Sequence, residues 1–224
     1  MRVTSFPLGP IETNSYILDD GKNALSIDVG GDPAPILDFL SRENLTLLAT
    51  IITHQHFDHL YGVHALQEKL GTPCYCPKGD APIENTESTK GGLWGLPRVP
   101  EFRKEYLPDG EDTIGPFHFK ILPTPGHTPG GVSFYFPDAK SVFTGDSLFY
   151  RSMGRTDFPF GDHEKLIKGI RDNLFTLPPD TTVYPGHGPQ SNIGEESLEN
   201  PFIGEGSYVG RNRVIRHSSV FLIL

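Results

Sequence analysis

The apolar positions of this chain change period along its length, and each change marks an element. The opening Met1-Arg2-Val3-Thr4-Ser5-Phe6 alternates in the manner of a strand, so residues 2–18 read as a strand pair, followed by a strand at 24–28. Asp32 opens a helix with Pro33 at its first position, where a missing N–H costs nothing. The run Leu47, Leu48, Ala49, Thr50, Ile51, Ile52 is mostly apolar and partly β-branched, as expected of a buried strand. Leu60, Val63, Leu66, Gln67 and Leu70 then fall near helical spacing, and Gly71 stops that helix. Farther along, strands are expected at 103–107, 117–122, 131–136 and 140–144, a helix over 162–175 capped by Asp162, and a last strand at 182–185. This order is compatible with an α/β fold of two sheets between helical layers.

The densest chemistry lies between the 47–52 strand and its helix. His54, His56, Asp58 and His59 put three imidazoles and a carboxylate into H-x-H-x-D-H. In an extended segment, side chains two residues apart point the same way, so His54 and His56 can grip one cation from one side. Asp58 and His59 emerge where the chain turns, a displacement that suits a second ion beside the first. A strand-to-helix junction is also where α/β proteins tend to place ligands. Three more donors follow at strand ends. His127 sits among turn formers in Pro125-Gly126-His127-Thr128-Pro129-Gly130-Gly131, Asp146 in Thr144-Gly145-Asp146-Ser147, and His187 in Tyr184-Pro185-Gly186-His187-Gly188-Pro189. Each is weak alone, since glycine-flanked His and Asp are common in loops.

Through these blocks, which span residues 54–188, the chain resembles the metallo-β-lactamase superfamily and, within it, the glyoxalase II-like hydrolases. The resemblance implies an αββα sandwich over residues 1–204, with 205–224 as a tail outside it. It implies two divalent metal ions, the first on His54, His56 and His127, the second on Asp58, His59 and His187, with Asp146 bridging. Zinc is the expected metal, and the same donors suit iron and manganese. The implied reaction is attack of a metal-bridging hydroxide on a small-molecule thioester of the S-D-lactoylglutathione type, with Asp58 and Asp146 as the catalytic carboxylates. Ser152-Met153-Gly154-Arg155-Thr156-Asp157-Phe158-Pro159 and Asn200-Pro201-Phe202 look like segments of the short bacterial members. The larger glyoxalase II enzymes add a C-terminal helical domain whose basic side chains hold glutathione, whereas here the resemblance stops near residue 204. Arg155 therefore has two readings: an anion contact through two parallel bonds, or an ion pair with Asp157 or Asp162. Two rival activities stay open. One is a persulfide dioxygenase with a single iron, whose relatives carry Ala-His-Asp where this chain has Gly186-His187-Gly188. The other is a lactone or β-lactam hydrolase, many of which have Arg in place of His59.

Composition narrows the partners. A formal charge of −9 argues against a nucleic-acid partner, which would call for a basic face. The closing Val220-Phe221-Leu222-Ile223-Leu224 is far short of the roughly 20 residues that span a bilayer, and the N-terminus carries no long apolar run. A cytoplasmic protein without a membrane partner is expected. The only cysteines, Cys74 and Cys76, read as packed and reduced in a strand. Residues 80–101, rich in Gly and Pro and holding the only tryptophan, Trp94, read as an insertion beside the pocket.

Overall fold

A computed structural model describes residues 1–207, and the expected tail lies outside the described residues from 208 onward. The chain opens with β1 (Arg2–Leu8), β2 (Thr13–Asp19) and β3 (Asn23–Ile27), an antiparallel meander. Helix α1 (Ala34–Arg42) carries it across to β4 (Thr46–Ile51), parallel to β3, and α2 (Val63–Leu70) carries it to β5 (Cys74–Cys76), parallel to β4. After a short α3 (Glu87–Lys90), β6 (Glu105–Tyr106) completes a six-stranded mixed sheet.

The second sheet is also six-stranded and mixed. It begins with the antiparallel β7 (Gly110–Ile114), β8 (Phe117–Pro123), β9 (Val132–Phe136) and β10 (Ser141–Gly145). A small hairpin of β11 (Leu148–Phe149) and β12 (Ser152–Met153) follows. Helix α4 (His163–Gly169) then leads to β13 (Thr182–Pro185), parallel to β10, with β14 (Ser191–Asn192) at the edge and α5 (Ile193–Glu199) behind it.

Alternation along the strands sorts side chains into three apolar layers. Ile17, Ala24 and Leu47 face α1 and α2 and pack with Ile36, Phe39, Leu40, Val63 and Leu66. Their neighbours Tyr16, Leu18, Leu25, Ala49 and Ile51 face the second sheet. There they meet Phe117, Phe119, Phe134, Phe136 and Phe143, so the joint between the sheets is largely aromatic. Tyr135, Val142 and Val183 point to the far side, where Leu166, Ile170 and Ile193 cover them. The result is the expected αββα order, with the central strands of both sheets buried on both faces.

Local departures from the sequence reading have physical causes. The first helix starts at Ala34 rather than Pro33, because Asp32 accepts the Ala34 N–H at 3.0 Å in a turn preceding the helix. The second starts at Val63, since Phe57–His59 form a separate 3₁₀ turn; it ends at Gly71, whose φ of 69° is left-handed. The helix at 162–175 loosens into a π turn over Ile170–Leu174. The strand expected at 103–107 shrinks to two residues, and β7 was not expected because its mostly polar, exposed residues carry no apolar alternation.

The aromatic joint predicts that Phe119→Ala lowers unfolding free energy by about 3–5 kcal/mol, read from denaturant melts. A loss below about 1 kcal/mol would mean that the two sheets are held together elsewhere.

Candidate metal centre

The seven donors converge because five chain segments end at one edge of the two sheets. His54, Gln55 and His56 continue out of β4; Asp58 and His59 occupy the 3₁₀ turn; His127 lies on the β8–β9 loop; Asp146 and His187 follow β10 and β13 directly. All seven are buried, from His59 at 0% to Asp146 at 9% exposure. His54, His56 and His127 form one trio able to hold a cation, and Asp58, His59 and His187 form a second. Asp146 stands between them: Oδ2 lies 3.5 Å from His127 Nε2 and 3.6 Å from His187 Nε2, and Oδ1 lies 3.3 Å from His59 Nε2.

These residues fit divalent ions. Nε2 of His54, His59, His127 and His187 and Oδ1 of Asp146 are buried with no hydrogen-bond partner among the described residues. Orphaned polar atoms at such depth are costly without a ligand. Their 3.3–3.6 Å separations are close to the edge of a tetrahedral shell, about 3.4 Å for bonds near 2.1 Å.

Neighbours fix which nitrogen is free. His59 Nδ1 donates to Asp28 Oδ2 at 2.8 Å, and His127 Nδ1 donates to the Arg155 carbonyl at 2.8 Å. Both partners only accept, so each ring keeps its Nδ1 proton outward and aims Nε2 at the other donors. Thr53 Oγ1 donates to Asp28 Oδ2 at 2.8 Å and lies 3.2 Å from His54 Nδ1, extending the same chain. Thr13 Oγ1 donates to Asp58 Oδ2 at 2.9 Å.

Charge in the site is lopsided. Burial, then the neighbouring His127, holds His56 down at about 3, so its ring is neutral and able to ligate at neutral pH. Burial would also lower His59, but Asp58, Asp28 and Asp146 outweigh it and hold the ring well above its usual range. Without a cation, the carboxylates recruit a proton in its place.

Two glycines permit the approach. A Cβ on Gly186 would lie 2.1 Å from Asp146 Oδ1 and 2.8 Å from His59 Cε1. Gly145, with φ of +49°, turns β10 toward the site with its would-be Cβ 2.3 Å from Thr53 Oγ1.

Arg155 takes the ion-pair geometry. Its Nε and Nη2 reach the two oxygens of Asp157 at 2.8 and 2.9 Å, and its guanidinium stacks 4.0 Å over Phe158. Phe158 in turn lies 6.0 Å from His56 and 6.5 Å from Trp94, ring centre to ring centre, which places Trp94 of the 80–101 segment one aromatic ring away from His56. Sequence reasoning missed Asp28, Thr13 and Asp80. Asp28 had a signal, an acid ending an apolar strand just before Gly30-Gly31, and its φ of 55° marks a strained position.

Comparison with known proteins agrees with this arrangement. The family described as the metallo-beta-lactamase superfamily matches residues 8–187. A probable metallo-hydrolase, YqgX of Bacillus subtilis, is 38% identical, over 91% of this chain and 98% of that protein. The hydroxyacylglutathione hydrolase GloC of Haemophilus influenzae is 35% identical, over 92% and 100%. Among solved structures, BLEG-1, a B3 metallo-beta-lactamase, superposes with a TM-score of 0.84 at 39% identity, over 90% of this chain and 99% of that one. TTHA1623 in a di-iron-bound form superposes with a TM-score of 0.81 at 38% identity, over 89% and 99%.

The close approach at Gly186 makes a prediction. Gly186→Ala should weaken zinc binding by about tenfold or more, measured by chelator competition, while the far-UV spectrum stays unchanged. Wild-type affinity in that variant would mean that Asp146 and His59 do not act as placed.

Proposed function

The chain belongs to the metallo-β-lactamase superfamily, and from that membership we propose that it is a dinuclear, glyoxalase II-like metallohydrolase, cleaving thioesters of the S-D-lactoylglutathione type in the cytoplasm. The observation that carries the reading is the pair of complete donor trios, both in contact with Asp146. A dioxygenase with a single iron would need only one of them. Likeness to a named hydroxyacylglutathione hydrolase and to a structure in di-iron form supports the substrate class and the second ion.

In this reading His54, His56 and His127 would hold one ion, Asp58, His59 and His187 would hold the other, and Asp146 stands where it could serve both. Zinc is the preferred ion, with iron or manganese suited to the same donors. Bound there, such ions would lower the pKa of water and polarise an acyl carbonyl. The remaining work falls to the chain's own groups. Burial would raise Asp58, but His59 and His187 outweigh it and hold the carboxylate at about 2, so it is ionised at neutral pH. Anchored by Thr13, it accepts a hydrogen bond from the attacking water and orients it. Asp28 keeps His59 from turning away. A thioester asks little more, because its leaving thiol has a pKa of about 8.5 and needs no dedicated acid. Cys74 and Cys76, buried against the helical layer, play no nucleophilic part. A glutathione carboxylate would compete with Asp157 for Arg155.

The test is thiol release from S-D-lactoylglutathione by metal-loaded protein. Wild type should turn over, and Asp146→Asn should lose about a hundredfold or more together with bound metal. Full turnover in that variant would sink the assignment. One iron with oxygen uptake on glutathione persulfide would put the dioxygenase in its place.

A further inference from the structure

The segment between β5 and β6 begins on a buried carboxylate to which the chemistry above gives no task. Asp80 is 0% exposed. Its Oδ2 accepts the Gln55 N–H at 2.7 Å, and its Oδ1 accepts the Gly130 N–H at 2.7 Å. Gln55 stands between His54 and His56, and Gly130 closes the tight loop that carries His127. One carboxylate thus ties together the two loops that supply the first trio, through two short charge-assisted bonds.

The joint is built to contact distance. A Cβ on Gly130 would lie 2.2 Å from Asp80 N, and one on Gly79 would lie 2.6 Å from Gly130 Cα, so the two backbones meet where no side chain fits. Gln55 is further held by Lys104 Nζ, which donates to its Oε1 at 2.6 Å, and by its own Nε2, which donates to the Pro77 carbonyl at 3.3 Å. The second trio is braced differently: Asp28 holds His59, and Thr13 holds Asp58. Asp28 also reaches His54 through Thr53 Oγ1, whereas Asp80 bonds only the two loops of the first trio.

We propose that Asp80 is a positioning residue that sets the affinity of the His54, His56 and His127 trio for its ion while leaving the Asp58, His59 and His187 trio unaffected. The inference rests on the two-ion reading. Asp80 acts through the backbone of Gln55 and Gly130 and touches neither substrate nor metal.

Cobalt(II) titration of the metal-free chain, followed by its visible spectrum and by chelator competition, tests this in wild type, Asp80→Asn and Asp28→Asn. Asparagine keeps the shape of the carboxylate but turns an NH₂ group toward one of the two N–H donors. Asp80→Asn should weaken one of two uptake steps by about tenfold or more and leave the other within twofold. Asp28→Asn, at a carboxylate that reaches His59 directly and His54 through Thr53, should weaken both steps. Equal weakening of both steps by Asp80→Asn, or none, overturns the proposal. If wild type takes up a single ion, the two-ion reading fails. Asp80 is then tested on that step alone, and an unweakened step overturns its role. If Asp80→Asn does not fold, hydrogen exchange on metal-free wild type decides: the Gln55 and Gly130 amides should exchange slowly and together, and fast exchange of either overturns the proposal.

Discussion

Four imidazole nitrogens and a carboxylate oxygen that are buried without hydrogen-bond partners among the described residues are the constraint around which this molecule is arranged. Such atoms are costly unless something else binds them, because each has given up water for nothing. The fold meets the constraint by geometry. Donors from five segments end at one sheet edge, and glycines at 145 and 186 let backbones and side chains approach where any Cβ would collide. Asp28 and the Arg155 carbonyl turn the other imidazole nitrogens outward, so that the free ones face one another.

The aromatic joint between the sheets gives that geometry its rigidity. Phe143 packs at 5.2 Å on Tyr16 and 5.1 Å on Tyr184, and Asp146 and His187 follow within three residues of these rings along their own strands. Tyr16 also donates to the Pro185 carbonyl at 2.6 Å, bonding the first sheet to the strand end that carries His187. Donors mounted on packed strand ends keep their spacing better than donors on free loops.

Much of this was legible in the chain, and the parts that were not share a cause. Donor residues reveal themselves by type and spacing: H-x-H-x-D-H at a strand end, then His127, Asp146 and His187 among turn formers. Strands with one or both faces buried reveal themselves by apolar runs. Asp80 and Thr13 do neither. Each acts on a residue tens of positions away, so its role exists only once the fold brings the two together. The edge strand β7 was hidden for a related reason, since its residues are mostly polar and exposed and its pairing with β8 exists only once the two strands lie side by side. Arg155 was legible as a charge but not as a partner. Two acids nearby could take it, and only the folded chain selects Asp157.

The most direct measurement is an anomalous-scattering map from crystals of zinc-loaded protein. Two peaks are predicted, one among His54, His56 and His127 and one among Asp58, His59 and His187, with Asp146 beside both. One peak, or peaks away from these trios, would contradict the account.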